Sequence, residues 1–187
     1  MVYDVLDSMS HHAPEIDFAG FTALSEIAPD RVIKAGRTLL SILPENSPAS
    51  QRAFVHYRVG QAHIIRGEFE SAFRSLTEAR QIHEENDDFE AVLKAQLALG
   101  VIYGLSEQHE AAFESFIAIR DRARDLSLPV IEGAADCNLG RICCDQKRFA
   151  EGRGFLNAAL KKIDGTGLIE RRASVLHELG RIELREG

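Results

Sequence analysis

The chain has 187 residues, 45% hydrophobic and 27% charged, a composition that can bury a core and stay soluble. Asp plus Glu outnumber Lys plus Arg by 29 to 22, and the net charge of −7 excludes a general nucleic-acid binder, which needs a basic surface. No apolar run reaches the roughly 18 residues of a membrane span, and the opening MVYDVLDSMSHH lacks the basic lead and apolar block of a secretory signal.

Residues 1–48 are read as N-terminal helices, with a degenerate first repeat as the alternative, since Gly20 lies 40 residues before Gly60 and Val32 and Leu39 stand at matching later positions. A short helix from Val2 to about Met9 is followed by a turn at His12-Ala13-Pro14. A second helix runs from Asp17 to about Ile27 and is broken by Pro29. Asp30 then caps a third helix reaching Leu43, with Val32, Ile33, Leu39, Leu40 and Leu43 on its apolar side. Pro44 to Ser50 is turn chemistry.

The remainder, 49–187, divides into units at about 51–86, 88–126 and 129–164, with a half unit at 168–187. The first unit predicts helices at Gln51–Arg66 and Phe69–Glu84, turned by Gly67, with apolar residues spaced by three and four. The second predicts Phe89–Leu105, entered through a cap at Asp87 or Asp88, and His109–Leu126. In the third, Pro129 suits the first turn of a helix, and a partner helix carries Phe149, Gly152, Leu156 and Ala159. The last helix starts near Leu168.

One phrase returns through these units: Val59-Gly60, Leu99-Gly100, Leu139-Gly140 and Leu179-Gly180, a spacing of 40 residues. A glycine inside a helix costs about 1 kcal/mol relative to alanine, so four in phase require a shared cause. A helix crossing so closely that only a hydrogen fits is that cause. Twelve residues after each complete glycine stand Ala72, Ala112 and Gly152, and sixteen after stand Leu76, Phe116 and Leu156. Nineteen after stand Ala79, Ile119 and Ala159.

This pattern resembles the tetratricopeptide repeat (TPR), in an elongated form similar to the TPR regions of bacterial regulatory and signalling proteins. The resemblance implies an all-α, right-handed superhelical solenoid of antiparallel helix hairpins. It departs from the family in its period, 40 residues against about 34. The extra residues fall around the links, such as Gln81 to Glu90, so helices longer than the standard ones are expected. The family's early tryptophan is replaced by His56, Gln96, Asp136 and Leu176, and its late proline by Glu84, Arg124 and Asp164.

The resemblance further implies a groove lined by the first helix of each hairpin. Its positions here are Phe54, Tyr57 and Gln61, then Lys94, Leu97 and Val101, then Asn138 and Arg141, then His177 and Arg181. That floor is apolar early and basic late, which suits a protein or peptide with an acidic portion. The alternative is that Tyr57, Leu97 and Val101 pack between neighbouring hairpins. The carboxylate clamp of chaperone-binding TPR proteins is not reproduced. Only Arg58, Asn138 and Arg141 have the right chemistry.

The three cysteines, Cys137, Cys143 and Cys144, predict no disulfide framework and point to a reducing cytoplasm. Cys137 and Cys144 share a helix face and, with His177, could hold a soft metal, while Cys143 or Cys144 could sense redox state, so a small-molecule, metal or redox sensor using the cysteine-bearing groove is a competing reading. Paired C-x2-C units are missing, so no metal or other cofactor is assigned. No phosphate loop or acid–base constellation appears, and the chain reads as a non-enzyme. Val175, Leu179 and Ile182 on the last helix need cover. They are expected to form either a homodimer face or the seat of an attached downstream domain, such as a diguanylate cyclase or a transcription activator.

Overall fold

The computed structural model describes residues 21, 28–164, 166 and 169–186. The expected helices at residues 2–9 and 17–27 lie outside these, apart from Phe21. Eight helices are described, with no strand among the described residues: α1 (Pro29–Ile42), α2 (Ala49–Ile65), α3 (Phe69–Glu85), α4 (Phe89–Leu105), α5 (His109–Asp125), α6 (Pro129–Asp145), α7 (Phe149–Ile163) and α8 (Ile169–Glu186). None of them is long and apolar enough to cross a membrane. The chain separates into two units, one ending at Asn86 and one beginning at Asp87.

Helices α2 to α6 each have 17 residues and are joined by links of three. The extra length over a standard repeat therefore lies in the helices, and the links stay short. Helix starts recur every 20 residues, at 49, 69, 89, 109, 129, 149 and 169. The middle residue of each link has left-handed backbone: Gly67, Asp87, Glu107, Ser127 and Lys147, with φ between 56° and 73°. At four of these links the amide two residues past the cap bonds back into the helix, as in Glu68 N–H to His63 O at 2.9 Å and Arg148 N–H to Cys143 O at 2.8 Å. These bonds satisfy carbonyls that the helix end leaves open. Only one of the five left-handed positions is glycine, so four side chains accept a conformation that L-residues enter at a cost of about 1–2 kcal/mol.

Local chemistry sets the helix starts. The Asp88 carboxylate accepts from Ala91 N–H at 3.1 Å and caps α4. Pro129 opens α6 and Pro29 opens α1, where a missing N–H costs nothing. Pro29 therefore begins α1, and Asp30 sits in its first turn without capping it. The cap residue is Ala28, which has no side-chain oxygen to offer.

The glycine phase is explained in three of its four members. A Cβ on Gly60 would lie 2.6 Å from Leu76, one on Gly100 2.8 Å from Phe116, and one on Gly140 2.6 Å from Leu156. In each case the second helix of the hairpin drives a large apolar residue into the notch. Leu76, Phe116 and Leu156 are all completely buried, worth about 1.5–3 kcal/mol each relative to exposure. In the first unit α1 packs on α2, and Val32, Leu39, Val55 and Val59 share one core. In the second unit α4, α5 and α6 share a core around Phe116, Ile131 and Leu139. A further cluster joins Cys144, Leu156 and Ala159 to Val175 and Ile182 of α8.

The missing tryptophan also has a physical counterpart. Asp136, at that position on α6, is buried and bonded to Lys162 of α7 at 2.5 Å. Lys162 also lies 3.3 Å from Glu132, which takes a second partner, Arg124 of α5, at 2.9 Å. Three helices of the second unit are thus tied by one ionic cluster. Burial pushes the Asp136 carboxyl above its ordinary value, and Lys162 pulls against that shift.

Candidate functional site

In the second unit α4, α6 and α8 are first helices of successive hairpins, and neighbours in that series touch. Between α6 and α8 they leave a pocket of about 540 Å³ lined by Cys137, Asn138, Arg141, Ala173, Ser174, His177 and Glu178. Three sequence-predicted groove residues, Asn138, Arg141 and His177, come together there. The turn-by-turn spacing of Cys137, Asn138 and Arg141 puts them on one side of α6.

Charge at this pocket is set by a short chain of ion pairs. Arg181 bridges Asp145 at 2.9 Å and Glu178 at 2.7 Å. Its hydrogen bond to Asp145 holds the guanidinium firmly protonated. Arg185 donates to the Cys144 carbonyl at 3.1 Å. Arg141 forms no ion pair among the described residues and is only partly exposed. Asn138 spends one amide N–H on the Ala134 carbonyl at 2.9 Å, and its side-chain oxygen remains an acceptor. The pocket therefore presents a cation beside an amide, the pair needed for a carboxylate and a neighbouring peptide N–H.

The other predicted groove residues divide. Leu97 and Val101 are half-buried and pack on the core of α4 to α6, so they serve packing at least in part. Lys94 is exposed and paired with Glu90 at 2.6 Å. In the first unit Phe54 meets Phe21 edge-on at 6.1 Å between ring centres, and the Arg58 guanidinium lies 5.8 Å from the Phe54 ring. The Tyr57 hydroxyl accepts from Gln61 at 3.2 Å.

A second concavity, about 420 Å³, was not expected from the sequence. Asp30, Lys34, Arg37, His63, Arg66 and Glu68 of the first unit are among its lining. Buried His63 bonds Glu68 at 2.6 Å, and Arg66 pairs with both Glu68 and Asp30. His63 and Arg66 together hold the Glu68 carboxyl below its usual range. The only forewarning was the three-residue spacing of Lys34 and Arg37 on α1.

The cysteines are thiols held back from reaction. Burial pushes Cys137 and Cys143 up to about 11, and Cys144 upward as well. Cys137 and His177 both line the pocket, but Cys144 is turned into the core against Gly152. Among the described residues no three His, Cys, Asp or Glu side chains are grouped to hold a metal. At pH 7.5 the thiolate fraction is very small, and thiolate is the reactive form. In the folded protein all three are expected to react with a disulfide reagent at least tenfold more slowly than in the urea-unfolded chain. Equal rates would restore the redox reading.

Val175, Leu179 and Ile182 do not form a free face. Val175 and Ile182 are fully buried against α6 and α7, and Leu179 packs on the same cluster. The chain itself supplies the cover that the sequence reading sought from outside. The large apolar residues exposed on α8 are Ile169, Leu176 and Leu184.

Comparison with solved structures places this architecture. The apo form of RapI superposes with a TM-score of 0.73 over 98% of this chain at 14% identity. The chain spans about half of RapI, 53% of its length. MamA matches with a TM-score of 0.58 over 87% of this chain and 79% of its own, at 16% identity. The TPR-like repeats of a Podosopora anserina putative kinesin light chain match at 0.64, over 88% and 84%, with 12% identity. The chain therefore has the TPR-like helical-repeat fold. No protein-family model and no curated protein matches its sequence.

Proposed function

We propose that this chain is a protein- or peptide-binding scaffold whose α6–α8 pocket receives an acidic side chain of an extended partner segment. The observation that carries this is Arg141, a guanidinium lining a pocket without a carboxylate partner among the described residues. Asp145 and Glu178, the nearby acids, are both engaged by Arg181. Arg141 grips the carboxylate, and Asn138 accepts a backbone N–H of the partner. The resemblance to elongated repeats of bacterial regulators supports a role as the regulatory module of a larger signalling protein.

A fluorescein-labelled peptide alternating leucine and glutamate serves as probe, with a leucine–lysine peptide as control. Arg141→Ala is expected to weaken binding of the acidic peptide about tenfold, the loss of one charge-assisted hydrogen bond. Added salt should weaken it further. Equal affinity for the two peptides would refute an acidic ligand at this pocket.

A further inference from the structure

The first unit holds a charge arrangement that peptide binding in the second leaves unused. α1 carries Lys34 and Arg37 three residues apart, so the two share one face of the helix. Both line the pocket of about 420 Å³ that α1 forms with the end of α2 and the link after it. Neither pairs with an acid among the described residues, in a chain whose net charge is −7. The pocket's own two acids are already engaged. Glu68 gives one carboxylate oxygen to Arg66 Nε at 2.7 Å and the other to His63 Nδ1 at 2.6 Å. Asp30 takes a second guanidinium nitrogen of Arg66. Arg66 thus neutralises the acids, and Lys34 and Arg37 remain as surplus cations. His63 is buried, Glu68 fixes its ring, and its other ring nitrogen bonds no described residue.

The geometry points to this pocket as a binding site for a phosphate dianion, either inorganic phosphate or the phosphoryl group of a small monoester. A phosphoryl group carries a charge of about −1.5 to −2 at pH 7 and three strong acceptor oxygens. Two uncompensated cations match that charge, whereas a carboxylate is satisfied by one of them. The planar guanidinium of Arg37 can take two phosphate oxygens at once, and the Lys34 ammonium adds a point charge beside it. The engaged state of Glu68 and Asp30 is what makes the site usable, because a free carboxylate in the same cavity would repel the ligand. The volume falls in the range of small-molecule sites and leaves room for a small organic body on the ester oxygen.

The experiment titrates the full, isotopically labelled chain with inorganic phosphate and with ribose 5-phosphate, and follows amide shifts by NMR. Sodium chloride at matched ionic strength and neutral ribose are the controls. Saturable shifts are expected at Lys34, Arg37, Thr38 and His63. Tighter binding of the ester identifies a small phosphorylated molecule as the ligand, and equal or tighter binding of inorganic phosphate identifies the free ion; either result supports the site. The double variant Lys34→Met, Arg37→Met should weaken binding about tenfold or more, the loss of charge-assisted hydrogen bonds. Both side chains are exposed, so the variant is expected to fold, and circular dichroism checks this. No saturation at millimolar concentrations of either phosphate compound would overturn the inference. So would shifts of equal size with sodium chloride, or an affinity unchanged in the double variant. Arg141→Ala in the second unit should leave phosphate binding as it is, so this site and the peptide pocket are judged separately.

Discussion

Gly140→Leu is expected to cost about 3 kcal/mol or more of unfolding free energy, while Gly180→Leu raises stability by a few tenths to about 1 kcal/mol. The two glycines occupy the same place in the repeat, and an isolated helix would respond identically to both changes. At Gly140 the first added carbon already lies 2.6 Å from Leu156 Cγ and 3.2 Å from the Gly152 carbonyl oxygen. Leu156 is fully buried, so it has no free space to move into. The crossing of α6 and α7 must open, and the packing of Leu156, Ala159 and Ile163 goes with it. At Gly180 the added Cβ meets nothing within 4 Å, so the gain in helix propensity dominates. Urea unfolding followed by circular dichroism measures both. Equal costs at the two positions would show that helix crossing is not why these glycines recur.

The second large effect concerns charge. Lys162→Met is expected to destabilise the protein by about 3–5 kcal/mol at pH 7, because it strips the ammonium from two buried carboxylates. Asp136 is 2% exposed and Glu132 8%, and only Glu132 keeps another partner, Arg124. Asp136→Asn should cost less, since burial already drives that carboxyl toward its neutral form. The sign with pH follows. A carboxyl raised above its unfolded value gives its full stability below that unfolded value. It loses that contribution as pH rises through the folded one. Without Lys162 the Asp136 carboxyl rises further, so the deficit of Lys162→Met should shrink as pH is lowered from 7 toward 4. Glu68 runs the other way. Held low by His63, it contributes stability above the ordinary carboxylate range and loses it as pH falls through its folded value. Comparing the variant with the parent chain at each pH cancels this background. A deficit independent of pH would mean that Lys162 acts through packing alone.

The helices themselves were legible because each carries its own chemistry. Asp88 and Pro129 mark starts, and the three-and-four spacing of Ala72, Leu76 and Ala79 marks the buried side, although Phe73, expected inward on the same spacing, is exposed. Where bounds were predicted for the helices from α2 onward, they lie within two residues of those found, and Phe89–Leu105 coincides. The left-handed backbone at the middle of each link was not legible. Glu107, Ser127 and Lys147 are not residues that announce a left-handed turn, and their conformation is imposed by the hydrogen bonds that close the helix ends. The pocket was legible only in part. Asn138, Arg141 and His177 were named as groove positions, but Arg181 was named without its two acidic partners. Ion pairs across 36 residues of chain, as between Arg181 and Asp145, leave no periodic trace.

What the sequence by itself determined is the repeat: where glycine must stand, where a large apolar residue must follow, and hence a stack of helical hairpins. That much is local, because a helix's period and its close crossings constrain residue types at fixed spacings. The tertiary structure decided which side of each helix is left over. Val175 and Ile182 are as apolar as Leu176 and Leu184, yet the first pair is covered by α6 and α7 and the second stands open. Asp136 likewise has no meaning as a single carboxylate until Lys162 arrives from another helix to neutralise it. Hydrophobicity and charge act through proximity, and proximity between distant parts of the chain exists only once it has folded.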